Sequence, residues 1–259
     1  MKRFNLHSHS LFCDGKNSME EMALAAIEKG LYCFGFSAHA PIPYDNDFAL
    51  KYEEQEAYLQ EARRLKEKYA NKIRLFVSME FDYIPEIAED IRQRANSLGL
   101  DYMIASVHKV KEAGRDGNWF IDGGKQEVWD KGLVEYFNSD IRKGVECFYS
   151  QSIEMLKKSQ PDVIGHFDKV KMHNKERFFS QQDPWYCDLV MNLLEEIKKG
   201  AFANCHFYIA LYDTMNAQIK RIINALDQYA LSVTVATALP HKGYQISAEV
   251  EAVSCPDVP

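Results

Sequence analysis

KIRLFVSMEFDYIPEIAEDIRQRANSLGLDYMIASVH, residues 72–108, decides the fold. A short apolar run, 72–83, ends in Glu80 and Asp82 and reads as a strand. A charged stretch with Pro85 near its first turn and Gly99 at its end reads as a helix over 84–99. A second apolar run, DYMIASVH (101–108), again stops in polar residues. Two short apolar strands joined by a helix make a β-α-β unit. Such strands are buried on both faces and lie parallel beneath covering helices.

The same alternation extends in both directions. Toward the N-terminus, residues 51–70 are a charged helix and LYCFGFSAHAP (31–41) is a strand. SMEEMALAAIEKG (18–30) has a capping Ser18, acids in its first turn and a closing Gly30. RFNLH (3–7) is a short strand running into histidines. Toward the C-terminus, a polar insertion with Gly114, Gly117, Gly123 and Gly124 precedes helices over roughly 126–159. PDVIGHFD (161–168) repeats the strand-then-histidine pattern, and the helix DLVMNLLEEIKKG (188–200) follows. Without a linker or repeat in 259 residues, one (β/α) barrel spanning 1–259 is expected rather than two domains.

Composition narrows the function. With 31 basic and 38 acidic residues the formal charge is −7, so there is no global basic field for a nucleic-acid backbone. The cysteines at 13, 33, 147, 187, 205 and 255 form no CxxC pair, and the N-terminus has no apolar leader. Reduced thiols, no membrane attachment and a cytoplasmic location are expected. There is no GxGxxG, P-loop or GxSxG, so nucleotide cofactors and a serine nucleophile have no support.

The chemistry concentrates where such folds place it, at the carboxyl ends of strands. His7, His9, His39, Glu80, His108 and His166 all fall there. In one strand, His7 and His9 at i and i+2 share a side and could serve one metal. A carboxylate ending an apolar strand, as Glu80 does, is costly unless paired or coordinated, and it can bridge two cations. Taken singly, His39, His108 and His166 read equally well as satisfied core histidines, and Asp14-Gly15 as a plain turn. Gly165 permits close approach beside His166. Together these N and O donors outnumber the four ligands of one structural site and suit divalent Zn, Mn or Fe. A multinuclear hydrolytic site follows, with cations about 3.5–4 Å apart.

Five motifs in order, HSHSLFCDGK, SAHAP, SMEFD, ASVH and IGHFDKVK, resemble the polymerase and histidinol phosphatase (PHP) family, in its histidinol-phosphatase branch. The resemblance covers roughly residues 3–200. It implies a distorted (β/α)7 barrel and hydrolysis of a small-molecule phosphate ester, histidinol phosphate, with up to three metals. It further implies a first metal on His7, His9 and Glu80, a second on Glu80, His108 and His166, and a third on Asp14 and His39. Glu80 and His108 would be the catalytic pair. Lys109, Lys169 and Arg177 follow the motifs and are candidates for phosphate contact or for plain solvated cations. Two other readings remain: a phosphoesterase acting on a different ester or nucleotide, and an inactive metal-binding remnant.

Residues 201–259 depart from the pattern. They lack the Asn-Thr-Arg-like segment that the resemblance implies, and the later Ser-Asp-Ala-His-like motif whose Asp and His complete the first and third sites in relatives. They also carry eight charged residues in 59, against 61 in the first 200. Either this segment is off-frame translation, or it is divergent and His206, Asp213 or His241 fills the missing positions.

Overall fold

The computed structural model describes residues 3–44, 46–85, 87, 90–199 and 208–209. The expected departure over 201–259, with His206, Asp213 and His241, lies outside the described residues apart from one two-residue strand.

The order is β1 (Phe4–Asn5), α1 (Met19–Glu28), β2 (Cys33–His39), α2 (Gln55–Lys68), β3 (Arg74–Asp82), α3 (Ile91–Ser97) and β4 (Tyr102–Ser106). A hairpin of β5 (Lys109–Val110) and β6 (Trp119–Phe120) follows. Then come α4 (Gln126–Phe137), α5 (Ile141–Ser159), β7 (Val163–Ile164), α6 (Pro184–Lys199) and β8 (Tyr208–Ile209). Six strands form one parallel sheet in the order β1-β2-β3-β4-β7-β8, and β5 pairs with β6 antiparallel. The architecture is the α/β fold expected from the alternation, a parallel sheet whose strands are joined through helices.

Local chemistry explains most boundaries. Ser18 caps α1 in a capping box: its side chain accepts from the Glu21 backbone while the Glu21 carboxylate accepts from the Ser18 backbone N–H. Every residue of β2 is buried, as a central parallel strand requires. Phe34, Phe36, Val77, Met79, Met103 and Ala105 carry the sheet into the main core.

Two places differ from the sequence reading, the start of α3 and the insertion after β4. The helix expected over 84–99 begins only at Ile91, because Asp90, accepting from Gln93 N, is its cap. Tyr83 and Ile84 are instead buried at the exit of β3. The helices expected over roughly 126–159 are α4 and α5, parted where Asn138 and Ser139 adopt positive φ and Asp140 caps α5. The polar insertion contains the β5–β6 hairpin, whose Trp119 is buried and donates to Trp129 O. Gly132 and Gly144 let α4 and α5 approach that indole, since a Cβ there would lie 2.4 and 2.7 Å from its ring.

Candidate metal centre

Parallel strands that end at one edge deliver their last side chains to one place. His39, the last residue of β2, is in register with Glu80 of β3. Asp82, two residues on, is in register with Ser106 at the end of β4. His108 and His166 lie two residues beyond β4 and β7. His7 and His9 are not inside a strand, since β1 stops at Asn5. Ser8 takes over from the ladder. Its backbone N–H donates to Ser37 Oγ, its hydroxyl donates to Gly35 O, and its carbonyl accepts from Ser37 N. This holds the chain extended, so residues 7 and 9 still share a side.

Both oxygens of Glu80, whose side chain is fully buried, are surrounded by imidazoles. His7 Nε2, His9 Nε2 and His39 Nδ1 stand 2.9, 3.4 and 3.3 Å from Oε2. His108 Nε2 and His166 Nε2 stand 3.3 and 3.5 Å from Oε1, which also accepts a hydrogen bond from Ser106 Oγ. Asp14 Oδ1 lies 3.6 Å from His9 Nδ1 and 3.8 Å from His39 Nε2, so the Asp14-Gly15 turn faces the cluster. Gly15 is required there, because a Cβ would sit 2.2 Å from His9 O. At Gly165 a Cβ would sit 2.0 Å from Ser106 Oγ and 3.1 Å from Glu80 Oε1. His166 itself has φ 49°, a left-handed conformation that bulky side chains adopt only under tertiary constraint.

The donor set fits cations. Three groups each offer donor atoms within 4.8 Å of one another: His7, Glu80 and His166; His9, His39 and Glu80; His9, Cys13 and Asp14. His108 is 1% exposed, yet neither ring nitrogen has a hydrogen-bond partner, although Glu80 is near enough to attract it. Buried polar atoms without partners are rare, and lone pairs converging on one carboxylate are the donors borderline divalent metals take.

Electrostatics agree. Burial and the neighbouring His7 hold His9 below the usual histidine range. Burial and His9 do the same more strongly to His39, and burial and Lys169 to His166. These imidazoles are therefore neutral near pH 7, the form that ligates. Burial also works against charge on His108, but Glu80, Asp122 and Asp82 outweigh it and raise His108 to about 9. Burial alone would raise Glu80; His7, His39 and His108 overcome it and keep the carboxylate ionised, well below its ordinary range.

All seven residues expected from the sequence thus meet in one cluster. Three further carboxylate or cationic groups join them. Asp82 accepts from the His108 backbone N–H at 3.1 Å and lies 3.7 Å from its Nδ1. Its place two residues after Glu80 on one strand was the available signal, since alternate residues share a face. Asp122 Oδ2 lies 3.5 Å from His108 Nε2, and its other oxygen binds the Lys169 ammonium. Nothing in the glycine-rich insertion marks Asp122, because its partners come from elements far along the chain.

Comparison with known proteins places this geometry. A "Probable histidinol-phosphatase" of Schizosaccharomyces pombe is 30% identical over 195 residues, covering 69% of this chain and 61% of that protein. The histidinol-phosphatase of Bacillus subtilis is 31% identical over 214 residues, covering 76% and 78%. The chain thus spans about three fifths of the S. pombe relative and likewise of one from Deinococcus radiodurans, matched over 60% of its length. In fold, it superposes on a Listeria monocytogenes structure assigned as a histidinol phosphatase with TM-score 0.69 and 20% identity, covering 90% of this chain and 93% of that one. A Lactococcus lactis histidinol phosphate phosphatase, solved with zinc, L-histidinol and phosphate, gives TM-score 0.61 at 18% identity, covering 91% and 85%. The PHP domain model matches residues 5–214, and the chain, carrying its histidines and glutamate at the strand ends, belongs to the PHP domain family.

Proposed function

We propose that this chain is a metal-dependent phosphomonoesterase that hydrolyses L-histidinol phosphate to L-histidinol and phosphate. The observation that carries the reading is the convergence of five imidazoles on the two oxygens of buried Glu80. The relatives named histidinol-phosphatase support the choice of ester. In this reading His7, His9 and Glu80 would hold one cation, Glu80, His108 and His166 a second, and Asp14 with His39 a third. Zinc, manganese or iron, when bound, would supply Lewis acidity and an acidified water for attack at phosphorus.

The chain's own groups do the rest. Glu80 holds its negative charge at the centre of the cluster and so sets the spacing of both ligand sets. Ser106 Oγ donates to Oε1 and fixes the carboxylate plane. Asp82, through the His108 backbone N–H, keeps that imidazole aimed at Oε1. Glu80, His39 and His108 are buried, which strengthens the interactions among them.

Phosphate release from histidinol phosphate, with manganese or zinc added, is the test. Turnover of histidinol phosphate well above that of generic phosphate esters is expected. Equal rates on all esters would move the reading to a general PHP phosphoesterase, and no release with any metal would sink it.

A further inference from the structure

Three cations follow the metal motifs in sequence, Lys109, Lys169 and Arg177, and their surroundings separate them. Lys169 is buried with its ammonium on Asp122. Arg177 grips Asp130 with two nitrogens, at 2.9 and 2.6 Å. Both positive charges are matched by carboxylates within the fold. Lys109 is different. Its ammonium lies 3.9 Å from the ring centroid of Tyr44, 5.6 Å from that of Phe48 and 5.9 Å from that of Phe120. Among the described residues no carboxylate comes within ion-pair distance of it, and the side chain is half-buried.

The aromatic box is continuous with the metal centre. Phe48 stacks on Phe120 at 5.7 Å and meets the ring of His39 edge-on at 5.2 Å. Lys109 also follows His108 directly, on the first strand of the hairpin. Ring faces attract an ammonium, but a partly dehydrated one gains more from a charge-assisted bond to an anion. Among the described residues the fold therefore holds a half-buried positive charge beside the cluster without an ion-pair partner, Asp82 acting on it only from longer range.

We propose that Lys109 binds the phosphoryl oxygens of the substrate, and of the inorganic phosphate released from it; the proposal rests on the phosphatase reading above. The aromatic box keeps the lysine stem extended and dry, so the ammonium is in place before the anion arrives. Lys169 and Arg177 are structural cations by the same comparison.

Inorganic phosphate titrated calorimetrically into manganese-loaded protein tests this without any need for turnover. Lys109→Met keeps the apolar stem and removes the charge, and Lys109→Gln is a second, more soluble neutral variant. Each is expected to weaken phosphate binding about tenfold and to raise KM for the ester by a similar factor, at unchanged manganese stoichiometry. Lys109→Arg is expected to restore most of the affinity. Unchanged phosphate affinity in both neutral variants would overturn the proposal and leave Lys109 as a clasp between the 44–48 loop and the hairpin. If the native chain hydrolyses no phosphomonoester, the phosphatase reading fails while the calorimetric comparison still decides the role of Lys109.

Discussion

Two buried carboxylates in this molecule have opposite surroundings. Asp168, in the turn after β7, pairs with Lys171 at 2.7 Å, both side chains 5% exposed or less. Glu80, at the end of β3, faces five imidazoles instead. An ammonium has no lone pair, and the Lys171 ammonium also donates to Gln181 Oε1 at 3.2 Å, so this pair offers no ligand for a metal and serves packing. Imidazole nitrogens carry lone pairs once unprotonated, as burial keeps His9, His39 and His166, so the Glu80 cluster can take up a cation from outside. Equal burial therefore means a closed structural pair in one place and an open coordination site in the other.

The largest expected effect tests the open half of this contrast. Glu80→Gln keeps the shape and removes the charge, and it should lower kcat/KM for histidinol phosphate about a thousandfold, with loss of bound metal. A loss below tenfold, measured with metal content in the same samples, would place Glu80 with Asp168 as a structural acid.

Asp168→Asn probes the closed half. Leaving the Lys171 ammonium buried without its carboxylate should cost about 3–5 kcal/mol in urea unfolding, with metal stoichiometry per folded molecule unchanged. A cost under about 1 kcal/mol would show that the pair is not closed structure.

Gly165→Ala is smaller and acts between the two. Its Cβ would press on Ser106 Oγ and on Glu80 Oε1. A stability loss of about 1–3 kcal/mol is expected, with weaker metal binding because the carboxylate must move. Wild-type metal affinity in this variant would show that the Glu80 position tolerates displacement.

The finest effect is a proton count. His108 is held protonated up to about 9, whereas His9, His39 and His166 are already neutral near pH 7. Metal uptake at pH 7 should therefore release about one proton, and almost none above pH 9.5. Calorimetry in buffers of different ionisation enthalpy reads this directly. In the metal-free protein the raised value also means that charged His108 stabilises the fold fully below its ordinary value of 6.5. That contribution fades as pH rises through about 9. An absence of buffer dependence at pH 7 would show that metal uptake displaces no proton and that His108 is not held protonated there.

Much of this was legible in the residues. Ser18 with Glu21 marks the start of α1, and the apolar runs at 31–41, 72–83 and 101–108 mark the central strands, because caps and burial on both faces act over a few residues. The strand-end positions of His39, Glu80, His108 and His166 follow from the same runs. Less legible were the delayed start of α3 at Asp90 and the break at Asn138–Asp140. At both places a short polar side chain competes with helix continuation, and packing decides between them.

Sequence by itself determined the order of strands and helices, the edge at which the chemistry collects, and the kinds of donor atom gathered there. These depend on periodicity and on side chains within a turn of one another. Tertiary structure alone decided which partners meet. It put His7 and His166, 159 positions apart, on opposite oxygens of one glutamate, gave Lys169 to Asp122 and Arg177 to Asp130, and left Lys109 among aromatic rings. Pairings of that kind join residues far apart in the chain and depend on how strand ends, hairpin and loops pack against one another, and short-range patterning carries no record of it.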